Sequence, residues 1–165
     1  MYRSRDTEAL VIRRERLAEF HKSLTLLTAD LGLLRATAFG AYKSRSTLRM
    51  ASEPFTRSRV SLYHDPVRGS YKVTDMEVRE SFEGVRADFE RVCAASLWAE
   101  VAERSLGAGD STGALYRLFV ESLRLLDAAD QPPGYLTAQF LWRFLGLAGY
   151  LPDTERCERC GAALD

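Results

Sequence analysis

With 165 residues, 46% of them hydrophobic, the chain holds enough apolar material for one good core or two small adjoining ones, and 23 basic against 23 acidic side chains leave no formal net charge. Evenly spread, those charges would argue against a nucleic-acid partner. However, residues 1–80 carry fifteen Lys and Arg against ten acids, net +5, whereas residues 81–165 carry eight against thirteen, net −5, a split that points to two regions facing different partners.

Met1 to Arg16 places both kinds of charge around a short apolar run, unlike a secretion signal. The longest apolar stretch, Leu136 to Leu151, is interrupted by Gln139 and Arg143 and falls short of the ~20 residues that cross a bilayer. No membrane span is expected. Three cysteines cannot form a disulfide framework, so a reducing, cytoplasmic setting is expected.

In chain order, five apolar runs separated by turn signals predict strands: Glu8–Ile12, Leu24–Thr28, Leu33–Phe39, Val60–Tyr63 and Tyr71–Thr74. Asp30-Leu31-Gly32 supplies a tight turn between the second and third, and His64–Gly69 a longer one between the fourth and fifth. Gly40 to Pro54 has neither period and reads as a long loop. Near Ser81 the period becomes helical. Val85, Phe89, Val92, Leu97 and Val101 mark a first helix ending at Leu106–Gly109, with Cys93 expected inside it and buried. After a cap at Ser111 or Thr112, Leu115, Leu118, Phe119, Ser122 and Leu126 mark a second. Asp130–Gly134 breaks it, and Leu136, Phe140, Phe144 and Leu147, widened by Leu141 and Leu145, mark a third over about Tyr135–Ala148. The expected class is α+β: a five-stranded OB-fold barrel over residues 1–81, because a sandwich usually needs about seven strands, then a helical domain over residues 82–165.

Between Arg35 and Arg59 stand six bases, Arg35, Lys43, Arg45, Arg49, Arg57 and Arg59, against one acid, Glu53, with Phe39 and Tyr42 beside them. Guanidinium and ammonium groups on a loop can track phosphates while a ring stacks on a base of any identity, so these residues are candidate single-strand contacts without base readout. The plain alternative is a solvated loop. Two histidines far apart in sequence, the lack of a Gly-rich phosphate loop, and Ser61 and Ser96 with no evident base leave no reaction class above background. Cys157-Glu158-Arg159-Cys160 has the spacing of a zinc knuckle but fills only two corners of a tetrahedron. A redox role would want a strand before it and a helix after it, inside a βαβ pattern. Zinc is therefore expected only if further ligands are supplied.

Thr7–Arg14, Leu26-Leu27-Thr28, Leu31-Gly32, the basic loop into Glu53-Pro54-Phe55, Ser61-Leu62-Tyr63, and Phe140–Pro152 running into Cys157–Gly161 together resemble the bacterial RecO family. The resemblance spans nearly the whole chain. It implies a non-enzymatic DNA repair and recombination mediator that binds and anneals single- and double-stranded DNA at the nucleoid. It implies work on strands coated by single-strand-binding protein, whose acidic, aromatic tail docks in the helical region, and partnership with RecR, sometimes with RecF, in loading RecA. The resemblance does not place that pocket residue by residue; Arg117, Arg124 and Arg143 are bases on otherwise acidic helices that could pair with a tail carboxylate, with intramolecular salt bridges the more favoured reading. The chain departs from family members with a complete zinc site, which carry a second Cys pair further on. A protein-interaction adaptor without direct DNA contact is the alternative reading.

Overall fold

The structure, a computed structural model, describes residues 4–43, 46–105, 112–151, 156 and 159–163. Five strands, β1 (Ser4–Leu17), β2 (His21–Thr28), β3 (Leu33–Ala38), β4 (Thr56–Asp65) and β5 (Ser70–Ser81), close into a barrel in the order β1-β2-β3-β5-β4. All pairings are antiparallel except β3 with β5. This is the five-stranded OB-fold expected, followed by helices, and the class is α+β.

The strands run beyond the apolar runs that announce them, since a half-buried strand needs apolar residues on one face only. Parts of β1 and β2 are buried on both faces. Ala9 and Val11 point into the barrel core with Leu24, Leu26, Val60 and Leu62, while Leu10 and Ile12 belong with Leu27 to a second core beneath the helices. Burial on both faces explains the unbroken run Ala9–Ile12. A register shift between Val11 and Arg13 leaves Ile12 outside the ladder.

The helices are α2 (Glu83–Ala87), α3 (Phe89–Ser105), α4 (Thr112–Ala128) and α5 (Pro133–Leu147), after a short α1 (Leu48–Ala51) between β3 and β4. That short helix sits where a loop was expected. Its Leu48 and Ala51 are buried in the barrel core. The single helix predicted after Ser81 is two, broken at Asp88, whose backbone is extended and whose carboxylate accepts the Arg91 amide at 3.0 Å to start α3.

Its predicted stripe is also displaced. Val85 is buried, but α3 buries Ala94, Ala95, Trp98, Ala99 and Ala102, leaving Phe89 82% and Leu97 47% exposed. Cys93, expected inside, is exposed. Trp98 stacks on Phe140 of α5 at 4.7 Å between centroids and donates from its indole nitrogen to Thr137 at 3.2 Å, an approach that the surrounding alanines permit. The stripe of α4 lies where predicted. On α5, Leu136, Phe140 and Phe144 are buried whereas Leu147 is 47% exposed. Pro133 opens α5 at a position where its missing amide costs nothing. The expected end at Leu106–Gly109 and cap at Ser111 lie outside the described residues. Among the described residues no helix is long and apolar enough to cross a membrane.

Candidate nucleic-acid interface

The segment leaving β3 turns at Gly40, whose φ of +69° suits glycine and whose amide donates to His21 Nδ1 at 3.0 Å. Turn hydrogen bonds then step from Gly40 to Lys43, Ser46 and Arg49, leading into α1. The segment rejoins the barrel where the Phe55 amide donates to the Val11 carbonyl at 2.7 Å. Lys43 and Arg49 are exposed, and among the described residues no carboxylate lies within 4.0 Å of either. Arg45 lies outside the described residues.

Tyr42 is half-buried. Its hydroxyl accepts from Arg14 at 3.2 Å, Lys22 Nζ stands 4.9 Å and Arg16 Cζ 5.7 Å from its ring centroid, and its amide donates to the Phe20 carbonyl. The ring thus ties the loop to β1 and β2. Glu53, the one acid of the basic region, is engaged from two sides, by Lys22 at 2.9 Å and by Arg14 at 3.0 Å.

Alternation on β3 sends Leu34, Ala36 and Ala38 inward and Arg35 and Thr37 outward, with Phe39 half exposed just beyond. Arg35 is exposed, faces neutral Thr25 across the ladder, and has no carboxylate within 4.0 Å among the described residues. Lys72 of β5 pairs in register with Thr37 on one side and Tyr63 on the other. Its ammonium lies 6.0 Å from the Phe39 centroid and 5.8 Å from that of Tyr63, with Asp65 at 4.0 Å. A row of ring, cation and ring therefore runs from the residue just past β3 across β5 to β4.

Arg57 and Arg59 sit differently. Arg57 donates to Tyr116 at 3.0 Å, to Glu8 at 3.0 Å and to Glu80, so its fork is filled from β1, β5 and α4. Burial pulls the Arg57 pKa down, but the hydrogen bonds it donates to Tyr116 and Glu80 outweigh that and leave it raised. Glu80 also receives a two-pronged contact from Arg124 at 2.8 and 2.6 Å; that contact, against burial and aided by Arg57, holds its pKa at about 2. Arg59 pairs with Asp6 at 3.1 Å, and Ser61 together with Arg59 lowers the Asp6 pKa. Arg57 and Arg124 are seam residues between barrel and helices, whatever else they meet.

Four residues near this surface escaped the sequence reading: Arg14, Arg16, Lys72 and Tyr63. Arg14 and Arg16 lie past the Glu8–Ile12 run, where hydropathy gives no signal, and Tyr63 and Lys72 lie within predicted strands whose alternation places them on the face away from Leu62 and Val73. On the helical side Arg117 and Arg143 line an open groove of about 450 Å³ with Ala114, Leu118, Glu121, Gly146 and Leu147. Cys160 is exposed and Cys157 lies outside the described residues. Among the described residues no three His, Cys, Asp or Glu side chains gather as metal ligands.

Two family models cover the chain almost end to end: Recombination protein O N terminal over residues 1–82, and Recombination protein O C terminal over residues 86–165. The DNA repair protein RecO of Desulforudis audaxviator (strain MP104C) is 36% identical over 156 residues, covering 94% of this chain and 61% of that relative. Its counterpart from Nocardioides sp. (strain ATCC BAA-499 / JS614) is 33% identical over 156 residues, 93% of this chain and 63% of that relative. The one from Pelotomaculum thermopropionicum is 36% identical over 157 residues, 95% and 60% respectively. The chain spans about three fifths of the length of these curated relatives.

Proposed function

This chain belongs to the RecO family of recombination proteins, and from that premise we propose that its barrel binds DNA strands, promotes their annealing, and assists RecA loading onto strands coated by single-strand-binding protein. The observation that carries the reading is the set of exposed cations Lys43, Arg49 and Arg35, which have no carboxylate within 4.0 Å among the described residues, near the half-exposed Phe39. Phosphates engage the cations, and bases stack on Phe39 and Tyr63, where Lys72 adds charge between the rings. No base-edge reading is required, so binding is sequence-tolerant.

In this reading residues 1–81 act as the DNA-binding unit and residues 82–165 as the docking unit, working with RecR, and in some settings RecF, at the nucleoid in the cytoplasm. The groove between α4 and α5 suits the tail of single-strand-binding protein, because an apolar floor at Leu118 and Leu147 takes an aromatic ring while Arg117 and Arg143 face carboxylates. The protein positions strands and partners and carries out no chemical step.

A fluorescence titration of single-stranded DNA at two salt concentrations tests this. Four or five neutralised phosphates give a slope of log affinity on log salt of about −3 for single strands. Lys43→Glu with Arg49→Glu should weaken binding at least tenfold and flatten the slope. Weak, salt-independent binding, or affinity untouched by the double reversal, would sink this reading in favour of an adaptor that docks repair partners without touching DNA.

A further inference from the structure

We infer that Lys22 is the positioning residue of the DNA-contact loop: a buried ammonium that fixes where Lys43 and Arg49 present their charges. The inference rests on the DNA-binding reading above. Lys22 is 0% exposed, and its place in the barrel is fixed by pairing with Ala38 in the β2–β3 ladder. Its Nζ donates to the Arg49 carbonyl at 3.1 Å, Ser52 Oγ at 2.8 Å and Glu53 Oε1 at 2.9 Å, which uses all three ammonium hydrogens. It also lies 4.9 Å from the Tyr42 ring centroid. Every one of these partners belongs to the loop between β3 and β4. They fall at its start, next to Lys43, in its middle, at Arg49 itself, and at its end.

A second strap closes the arrangement. Glu53 offers its other oxygen to Arg14 at 3.0 Å, and Arg14 reaches back to the Tyr42 hydroxyl at 3.2 Å. Lys22, Glu53, Arg14 and Tyr42 thus form a ring of side chains that holds both ends of the loop to β1 and β2. An apolar side chain would fill the Lys22 pocket without the desolvation penalty of a buried ion, so stability alone is a weak reason for a lysine there. What the charge adds is direction. It fixes three named acceptors at one point, and exposed phosphate-binding groups gain from being held in place before the ligand arrives.

The test uses the whole chain, a labelled oligothymidylate, and anisotropy titrations at two salt concentrations, with thermal melts alongside. Lys22→Met and Glu53→Gln should each weaken binding about threefold to tenfold, with a salt slope shallower by ~0.7 for each cation that loses its place. Glu53→Gln decides the matter. It removes an acid beside the interface, so charge alone would tighten binding, whereas loss of the strap loosens it. Unchanged or tighter binding by Glu53→Gln overturns the inference, and that variant is read by itself if Lys22→Met does not fold. Lys43→Glu with Arg49→Glu runs in parallel. If that pair loses binding and Glu53→Gln does not, positioning alone fails; if neither loses it, the DNA-binding reading fails and positioning with it.

Discussion

Replacing Arg57 by methionine keeps the apolar stem and removes the guanidinium, and it should cost stability rather than DNA affinity. Three contacts vanish, to Glu8, Glu80 and Tyr116. Glu80 keeps its two-pronged contact with Arg124, and Glu8 keeps Arg79 at 3.8 Å, so neither carboxylate is stranded. A hydrogen bond to a charged group contributes ~1.5–3 kcal/mol when buried, but these side chains are a quarter to a third exposed, which reduces each ion pair to ~0.5–1 kcal/mol. The Tyr116 hydroxyl, on a buried residue, adds ~1 kcal/mol for its lost partner. The sum is ~2–3 kcal/mol. At roughly 2–4 °C per kcal/mol for a chain of this size, the melting temperature should drop by ~4–12 °C in calorimetry, while the oligonucleotide titration changes less than twofold. A melting temperature within ~1 °C of wild type together with a tenfold loss of affinity would show that Arg57 meets phosphate in solution and that the seam assignment is wrong.

Glu80 gives the same seam a pH dependence. Its carboxyl is held at about 2 against an ordinary 4.5, so its contribution is fully present above the ordinary value and is lost as pH falls from about 4.5 towards 2. At full value the shift is worth ~3 kcal/mol, and solvent screening lowers that to ~1–2 kcal/mol. Urea midpoints at pH 7 and pH 3 for wild type and Glu80→Gln should converge on acidification, and parallel curves would refute the assignment. Trp98→Ala should cost ~3–5 kcal/mol, because the side chain is fully buried and stacked on Phe140. A loss below ~1.5 kcal/mol in chemical denaturation would mean that α3 and α5 are not joined through that pair.

The barrel was legible because alternation with β-branched and leucine-rich runs survives in short windows, and because a change of period near Ser81 marks where strands give way to helices. The phase of α3 was not legible. Its buried stripe is built from four alanines and one tryptophan, which carry little hydropathy apart from Trp98, while the larger Phe89 and Leu97 face outward. A stripe drawn through the largest apolar residues is rotated away from the real one. The break at Asp88 adds to the error, since Val85 belongs to α2 and shares no helical phase with residues after it. A four-residue helix such as α1 leaves no period to detect.

The candidate cations divided by the same logic. Which acid stands across from a strand cation depends on register, and register is unknown until the barrel closes. Arg57 pairs in register with Glu80, and Arg59 stands between Glu8 and Glu77, residues far away in sequence, whereas Arg35 faces neutral Thr25. Composition counted these three alike.

The charge split between the halves takes on a different meaning once the seam is drawn. Arg13 of β1 meets Glu100 at 3.2 Å and Glu103 at 2.7 Å on α3, and Arg124 of α4 meets Glu80 of β5. The Arg13 pairs set a base of the basic half against acids of the acidic half, whereas Arg124 and Glu80 pair in the opposite sense, and both tie the halves together alongside the apolar contact of Leu10, Ile12 and Leu27 with the helices. That contact occupies the outward faces of β1 and β2, with Leu33 of β3 and Glu80 of β5 also at the seam, and leaves the rest of β3, the start of β5 and the loop ahead of β4 for a partner. Lys43, Arg49 and Arg35 lie on that remaining surface without local acids among the described residues, and the one acid within the loop, Glu53, faces Lys22 and Arg14. A loop whose only carboxylate is directed inward presents its positive charge outward, which a patch of mixed surface charge would not do.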